Sequence, residues 1–196
     1  MTVTEPEFYD VAMTEPGAPS MLPLAESPWR PLYAEAARWI APSSPVVDLG
    51  CGTGRFADEL RNQGHLADFV GLDFSPAAID EARAYVGRDE ITFDVADLRE
   101  WEPDDGRAGG TVYTCLEVLE HLVDDVGLLA RVPPGHEVIF SVPNYPSAAH
   151  LRTFGLLGEV WARYADLVTF RRWSLVQLDD RKAIHLLDAT RRVDSW

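Results

Sequence analysis

Residues 46–57, which read VVDLGCGTGRFA, decide the fold class of this chain. A short apolar run leads into three glycines, Gly50, Gly52 and Gly54, and an amphipathic segment follows them. Glycines allow a sharp turn and bring bare backbone close to a ligand, and amides at a helix start favour polar or anionic groups. The pattern therefore predicts a strand, a ligand-binding turn and a helix.

Strand and helix patterns alternate on both sides of this loop. The predicted strands are 46–49, 69–73, 91–95, 111–115, 137–142, 167–173 and 183–189, with the last two paired antiparallel. The predicted helices are one that starts at 28–31 and ends before Pro42, then 54–63, 76–86 with Ser75 as its cap, 117–131 and 147–162. This alternation indicates an α/β protein with a mostly parallel sheet covered on both faces. Residues 1–27 are expected to form a mobile leader or lid before a single domain over 28–196.

Composition limits the classes of partner. The chain has 196 residues, the size of one domain, with 32 acidic and 17 basic residues and a net charge of −15. That charge argues against nucleic acid and against anionic membranes, because both are bound through Lys and Arg. No apolar run reaches the roughly 18 residues that span a bilayer, and two cysteines make no disulfide framework. We therefore expect a cytoplasmic monomer or homodimer with a small-molecule partner.

Two acidic residues follow the next strands along the chain. Asp73 ends the second predicted strand, and Asp97 lies just after the third. Ligands of open α/β sheets bind at the carboxyl ends of the strands, where an acid on the second strand meets ribose hydroxyls. Asp73 would accept hydrogen bonds from a diol, and Asp97 could accept one from an adenine amino group. Each acid has an alternative role as a helix cap or a solvated surface group.

Five segments resemble, in order and at ordinary spacing, the motifs of class I S-adenosylmethionine-dependent methyltransferases: VVDLGCGTGRFA, GLDFSPAAIDEAR, FDVADL, TCLEVLEHL and PPGHEVIFSVPN. The resemblance covers about residues 28–145. It implies a Rossmann-like, seven-stranded sheet of order 3-2-1-4-5-7-6 with the seventh strand antiparallel. It also implies S-adenosylmethionine as the methyl donor and S-adenosylhomocysteine as the product.

The resemblance places the methionine end of the cofactor on the glycine loop. Gly50, Cys51 and Gly52 would line it, and Asp48 belongs to the same cofactor-binding set. Cys115 would lie beside the sulfonium. Because strands one and four are neighbours in this sheet order, we expect both thiols to border the same pocket.

The adenosine end is placed on the second and third strands. Asp73 would hold the ribose hydroxyls, and Phe74 would lie along the adenine. Asp97 and the backbone of Leu98 would read the adenine edge. Arg55 stands where the dinucleotide fingerprint GxGxxG has its last glycine, which argues against a nicotinamide enzyme.

The string EVLEH at residues 117–121 begins the helix predicted after the fourth strand. Positions i, i+3 and i+4 share one helical face, so Glu117, Glu120 and His121 are expected to converge. The string resembles the ubiquinone-biosynthesis O-methyltransferases and the small-RNA 2′-O-methyltransferases. In the RNA enzymes such a set, completed by a downstream histidine, holds a metal that polarises the hydroxyl, and His150 is the available histidine here.

Several roles are open to these residues. We favour a metal-free site with His121 and Glu117 as catalytic residues and His121 as the general base, because an imidazole titrates near neutral pH. Glu117 could instead orient the methionine end of the cofactor, and His121 could be structural. A divalent metal on Glu117, Glu120, His121 and His150 is a further alternative that we do not favour.

The sequence thus predicts a methyltransferase for a small-molecule acceptor, with a hydroxyl as the preferred acceptor group. The alternatives are N-methylation, a cofactor-binding partner or regulatory protein of the same fold, and a metal-dependent RNA 2′-O-methyltransferase. The acceptor site is expected to form from a leader that includes Tyr9, the EVLEH string and residues 143–165. Arg30, Arg152 and Arg163 are candidates for binding an acidic substrate.

Overall fold

A seven-stranded sheet forms the centre of the computed structural model, which describes residues 15–65, 68–87, 91–104 and 110–193. The strands are β1 (Val46–Leu49), β2 (Phe69–Asp73), β3 (Ile91–Val95), β4 (Val112–Cys115), β5 (Glu137–Pro143), β6 (Val168–Gln177) and β7 (Ala183–Arg191). Their order is β3-β2-β1-β4-β5-β7-β6, and β7 runs antiparallel to both of its neighbours. The predicted strand order and the predicted antiparallel strand are confirmed.

The parallel register brings the carboxyl ends of the first strands to one edge of the sheet. Asp48 of β1 lies between Gly71 of β2 and Thr114 of β4. Asp73, the last residue of β2, is paired with Val95 at the end of β3. The turns that follow β1, β2, β3 and β4 therefore meet at the edge where the sequence predicts the cofactor.

Within the described residues, five α-helices cover the two faces of the sheet. They are α1 (Arg30–Trp39), α2 (Arg55–Asn62), α3 (Pro76–Val86), α4 (Asp125–Arg131) and α5 (Leu157–Tyr164). The first three pack into one apolar cluster through residues such as Leu60, and the last two pack into a second cluster through residues such as Leu128. Within the described residues, no helix has the length and apolar character needed to cross a bilayer.

Helix α3 begins as the sequence predicts. The Ser75 hydroxyl accepts a hydrogen bond of 3.1 Å from the backbone amide of Ala78, and Pro76 occupies the first helical position. Proline does not destabilise the helix at this position, because the first amides of a helix have no hydrogen-bond partner within the helix. The chain after β2 is thus fixed directly behind Asp73.

The helix predicted over 117–131 is wrong in its first half. Glu117 has a φ of 58°, and after it residues Leu119–His121 form a single 3-10 turn. The regular helix α4 begins only at Asp125, after the Asp124 carboxylate accepts a hydrogen bond of 2.8 Å from Gly127 N. A left-handed residue cannot continue an α-helix, so Glu117, Glu120 and His121 do not share a helical face.

The helix predicted over 147–162 begins late. Helix α5 starts at Leu157, and the preceding segment is held by contacts to other parts of the chain. The backbone amide of Leu151 donates to the carbonyl of Glu120 at 2.8 Å, and that of Phe154 donates to Pro143 O at 2.9 Å. These tertiary hydrogen bonds use amides that a helix would need for its own ladder.

The two cysteines lie in different cores. Cys51 belongs to the cluster under helices α1 to α3, whereas Cys115 belongs to the cluster under α4 and α5. Cys51 is 7% exposed and Cys115 is 0% exposed. Burial raises the pKa of both thiols. The expectation that both thiols border one pocket is therefore wrong, because the sheet separates them.

The described part of the leader, residues 15–27, packs against the glycine loop. The Thr53 hydroxyl donates to Ser20 O at 2.6 Å. The Arg55 guanidinium donates to the carbonyls of Met21 and Leu22 at 2.9 and 3.0 Å. This segment therefore covers the turn that follows β1. The mobility predicted for the leader remains a prediction, and Tyr9 lies outside the described residues.

Candidate active site

The glycine loop packs tightly against a side chain of the EVLEH segment. Gly50 has a φ of 83°, and a Cβ at this position would lie 2.3 Å from Cγ2 of Val118. Only glycine accommodates both the left-handed backbone and this approach. The loop after β1 is therefore pressed against the EVLEH segment, and the two parts of the sequence pattern form one site.

Asp73 ties the loop to the end of β2. Its carboxylate accepts hydrogen bonds from Gly52 N at 2.9 Å and from Ser75 N at 3.0 Å. The residue is 6% exposed. These bonds hold the Asp73 carboxylate at the end of β2, next to the glycine loop. The predicted role of Asp73 is compatible with this geometry.

The predicted adenine contacts lie beyond β2 and β3. The Arg99 guanidinium binds both carboxylate oxygens of Asp97 at 2.7 to 3.0 Å and lowers the pKa of this carboxyl. Asp97 is thus ionised and already paired, so an adenine amino group would share it with Arg99. Leu98 is buried and Phe74 is partly buried. Their adenine contacts remain predictions.

Asp48 lies beneath the loop with its side chain on the face covered by α1 to α3. It is 3% exposed, and its carboxylate accepts a hydrogen bond of 2.6 Å from the Thr114 hydroxyl. Burial raises the pKa of Asp48 to about 7, although the Thr114 hydrogen bond lowers it. The side chain of Cys115 faces the opposite core, so any contact from Cys115 to the cofactor must use its backbone.

Glu117 turns away from the other EVLEH residues and towards β5. Its amide donates to the Ser141 hydroxyl at 2.8 Å, and that hydroxyl donates to Glu117 Oε1 at 3.0 Å. The Tyr145 hydroxyl donates to Oε2 at 3.4 Å. Burial raises the pKa of Glu117 to about 7, although hydrogen bonds from Ser141, Tyr145 and Trp29 lower it. The positive φ of Glu117 is strained for a non-glycine residue, and such strain is typical of functional sites.

Glu120, His121 and His150 form a separate group. One ligand atom from each lies within 4.8 Å of the others. Glu120 is 0% exposed, and neither carboxylate oxygen has a hydrogen-bond partner among the described residues. Burial raises the pKa of Glu120, and the nearby Glu117 raises it further. The four-residue metal set considered from the sequence thus divides, with Glu117 outside the cluster.

His121 is a weaker base than the sequence suggests. Its Nδ1 lies 2.9 Å from the carbonyl of Ala149, which fixes the proton on that nitrogen. Burial lowers the pKa of His121 to about 4. At neutral pH the ring is therefore uncharged and has little tendency to take up a proton.

Two of the three arginines considered for substrate binding have structural partners. Arg163 binds both oxygens of the Asp125 carboxylate at 2.5 and 2.7 Å. Arg152 donates to the carbonyls of Leu119 and Leu122 at 2.6 and 2.5 Å, which holds the 3-10 turn in place. Arg152 and Arg163 therefore stabilise the fold through these hydrogen bonds. The third candidate, Arg30, is exposed.

Sequence reasoning missed Ser141 as a site residue. It is a fully buried polar residue in the otherwise apolar strand β5, and it forms hydrogen bonds with the amide and the carboxylate of Glu117. A lone serine inside the run EVIFSVP was an available signal, because buried hydroxyls need a partner.

Comparisons with known proteins agree on one family. A family model described as a methyltransferase domain matches residues 24–189. A ubiquinone biosynthesis O-methyltransferase of Coxiella burnetii (strain RSA 331 / Henzerling II) is 29% identical over 158 residues, which cover 74% of this chain and 65% of the relative. The chain thus spans slightly less than two thirds of the length of that relative.

Solved structures share the fold at low identity. A chain of the complex between the Haloferax volcanii Trm112 methyltransferase activator and a putative methyltransferase aligns with a TM-score of 0.76 and 18% identity over 100% of both chains. Magnesium protoporphyrin IX methyltransferase from Synechocystis PCC 6803, with bound S-adenosylmethionine, aligns with a TM-score of 0.67 and 18% identity, over 95% of this chain and 89% of that one. With the family model covering most of its length, the chain belongs to the methyltransferase-domain family and carries an S-adenosylmethionine-dependent methyltransferase domain.

Proposed function

We propose that the protein transfers a methyl group from S-adenosylmethionine to a hydroxyl of a small molecule and releases S-adenosylhomocysteine. The observation that carries this proposal is Glu117, a strained and partly buried carboxylate beside the cofactor loop whose pKa is raised to about 7. A base with a pKa near the working pH is well suited to remove a proton from a hydroxyl. The ubiquinone biosynthesis relatives are O-methyltransferases by name, which supports the same choice.

The residues present fit the cofactor. The close approach at Gly50 and the hydrogen bond from Gly52 to Asp73 preform the loop that would receive it. When bound, S-adenosylmethionine supplies an activated methyl group on a sulfonium sulfur. Asp73 would bind the ribose hydroxyls, and the carboxylates of Asp48 and Glu117 would favour the positive charge.

Glu117 replaces His121 as the general base in this proposal. Glu117 would accept the proton of the acceptor hydroxyl as that oxygen bonds to the methyl carbon. Ser141 and Tyr145 would hold the carboxylate in place, since both donate to it. His121, with a pKa lowered to about 4, is left as a positioning or structural residue. Catalysis would otherwise depend on orientation and on exclusion of water.

The acceptor class can be tested with labelled methyl groups. The purified protein and methyl-labelled S-adenosylmethionine are incubated with a cell extract that has been separated into small molecules, RNA and protein. We expect label in the small-molecule fraction, in products that mass spectrometry identifies as methyl ethers. Methylamines would instead indicate an N-methyltransferase, and label in RNA would contradict the proposal. The net charge of −15 argues against RNA as the acceptor.

A partner requirement is tested in the same assay. One structural neighbour is in a complex with a methyltransferase activator, so an activity that appears only with the protein fraction would favour a partner-dependent enzyme. Transfer by the purified protein alone is the outcome that we expect.

The group of Glu120, His121 and His150 favours a second candidate, a metal-assisted O-methyltransferase. A buried carboxylate that accepts no hydrogen bond from the described residues, beside two neutral imidazoles, is a donor set that suits Zn²⁺ or a similar cation. A cation there would polarise the acceptor hydroxyl. Under the metal-free proposal, dialysis against EDTA should leave the rate of methyl transfer unchanged. Loss of activity that added Zn²⁺ or Mg²⁺ restores would establish the metal-assisted mechanism instead.

A further inference from the structure

Lys182 is the only lysine of the chain, and the fold places it against Tyr145, a residue of the segment 143–165 that the sequence predicts to bind the acceptor. Lys182 lies in the turn between β6 and β7. The next residue, Ala183, forms two hydrogen bonds with Asn144, the residue before Tyr145. Ala183 N donates to the Asn144 side chain at 2.8 Å, and Asn144 N donates to Ala183 O at 3.0 Å. This pair of hydrogen bonds fixes the backbone of the turn against the end of β5.

The ammonium group of Lys182 lies over the ring of Tyr145, with Nζ 5.3 Å from the ring centroid. The hydroxyl of the same tyrosine donates to Glu117, and its ring is 5.4 Å from that of His150. The cation also acts on His150, whose pKa is lowered first by burial and in part by the charge of Lys182. Tyr145 thus contacts Lys182 through its ring and Glu117 through its hydroxyl.

The ammonium group of Lys182 forms no salt bridge with the described residues, although acids outnumber bases 32 to 17. Hydrogen bonds from backbone amides of the same turn lower the pKa of the exposed Asp179, and the charge of Lys182 contributes to lowering it. Several arginines, in contrast, form salt bridges with carboxylates, as Arg163 does with Asp125. Lys182 is thus an exposed cation on Tyr145, the residue whose hydroxyl donates to Glu117, and it could bind a ligand in competition with the exposed Asp179 of its own turn. An acidic ligand needs such a cation locally, because a protein of charge −15 repels it at longer range.

We propose that Lys182 is a specificity-determining residue that binds an acidic group of the acceptor, so that the acceptor is a small hydroxy acid such as a hydroxybenzoate. The hydroxyl of such a molecule would face Glu117 while its carboxylate pairs with Lys182. Tyr145 spans the interval between these two groups, and Trp29 and Tyr33 supply further aromatic surface on the Glu117 side. This inference rests on the proposed small-molecule methyl transfer and specifies its substrate class.

The test measures binding, so that it does not depend on turnover. Protein saturated with S-adenosylhomocysteine is titrated with para-hydroxybenzoate and with its uncharged analogue para-hydroxybenzamide. We expect the acid to bind the wild type about fivefold more tightly than the amide, as an ion pair of modest strength would produce. K182Q should remove this difference without changing the affinity for the amide, and K182R should retain most of it.

Arg181 provides a matched control, because it is an exposed cation in the same turn and, among the described residues, only Lys182 of this turn places its charge over Tyr145. R181Q should keep the preference for the acid, and thermal melting should show that each variant is folded. Equal affinity for acid and amide, no binding of either, or a preference that survives in K182Q would overturn the inference. A loss of S-adenosylhomocysteine affinity in K182Q would also overturn it, since Lys182 would then serve the carboxylate of the cofactor. Failure of methyl transfer with the preference intact would count against the proposed function alone.

Discussion

Replacing Asp73 by Ala should raise the dissociation constant for S-adenosylhomocysteine by about 100-fold, because two charge-assisted hydrogen bonds at about 1.5 kcal/mol each would be lost. The ribose loses its acceptor, and the amides of Gly52 and Ser75 lose the carboxylate that holds the loop. Both losses weaken the same site, so the effect is expected to exceed that of removing a ribose contact alone. Isothermal titration calorimetry measures it directly.

Two variants separate these contributions. D73N keeps one acceptor oxygen for the loop but loses the charge, so its affinity should fall between those of the wild type and D73A. D80A removes an exposed carboxylate of α3 and should bind S-adenosylhomocysteine like the wild type. An unaltered dissociation constant in D73A would refute the assignment of this residue to the cofactor.

The parts of the fold that follow local rules could be predicted from the sequence. Strands β2 and β3 begin and end at the predicted residues, and α3 starts at the predicted serine cap. The strand order came from the family resemblance rather than from periodicity. Strand alternation does not predict which face Cys51 occupies. Strand β1 ends at Leu49, and the left-handed backbone of Gly50 interrupts the alternation before Cys51.

The sequence predicts most of the residues that take part in the candidate site, but not how they are arranged. The spacing of EVLEH is helical, and nothing in it indicates that Glu117 adopts a positive φ. That conformation depends on Ser141 and Tyr145, which are 24 and 28 residues away in sequence. The cluster of Glu120, His121 and His150 likewise depends on Arg152, which holds the carbonyls of the 3-10 turn from a distant segment. Asp124 was a readable signal for the true helix start, since aspartate is a preferred helix cap.

The choice between Glu117 and His121 as the base has a large expected effect on the rate. E117Q should lower kcat by about 100-fold or more, which is the usual contribution of a general base. Glutamine keeps the size of the side chain and an oxygen that can accept from Ser141 or Tyr145, so the affinity for S-adenosylhomocysteine should change little. A loss of that affinity with kcat preserved would instead assign Glu117 to the methionine end of the cofactor.

The pH dependence distinguishes the two bases independently of the size of the rate change. Glu117 must be ionised to accept a proton, so kcat/KM of the wild type should fall as the pH drops below about 7, where burial has placed its pKa. H121A should keep this inflection, because an imidazole with a pKa of about 4 is already neutral throughout that range. E117Q should have a flat residual rate across it. An inflection that vanishes only in E117Q would locate proton removal at the turn after β4. That turn is close to the cofactor loop, because Gly50 contacts Val118, the residue after Glu117. An inflection that vanishes only in H121A would return the role to histidine.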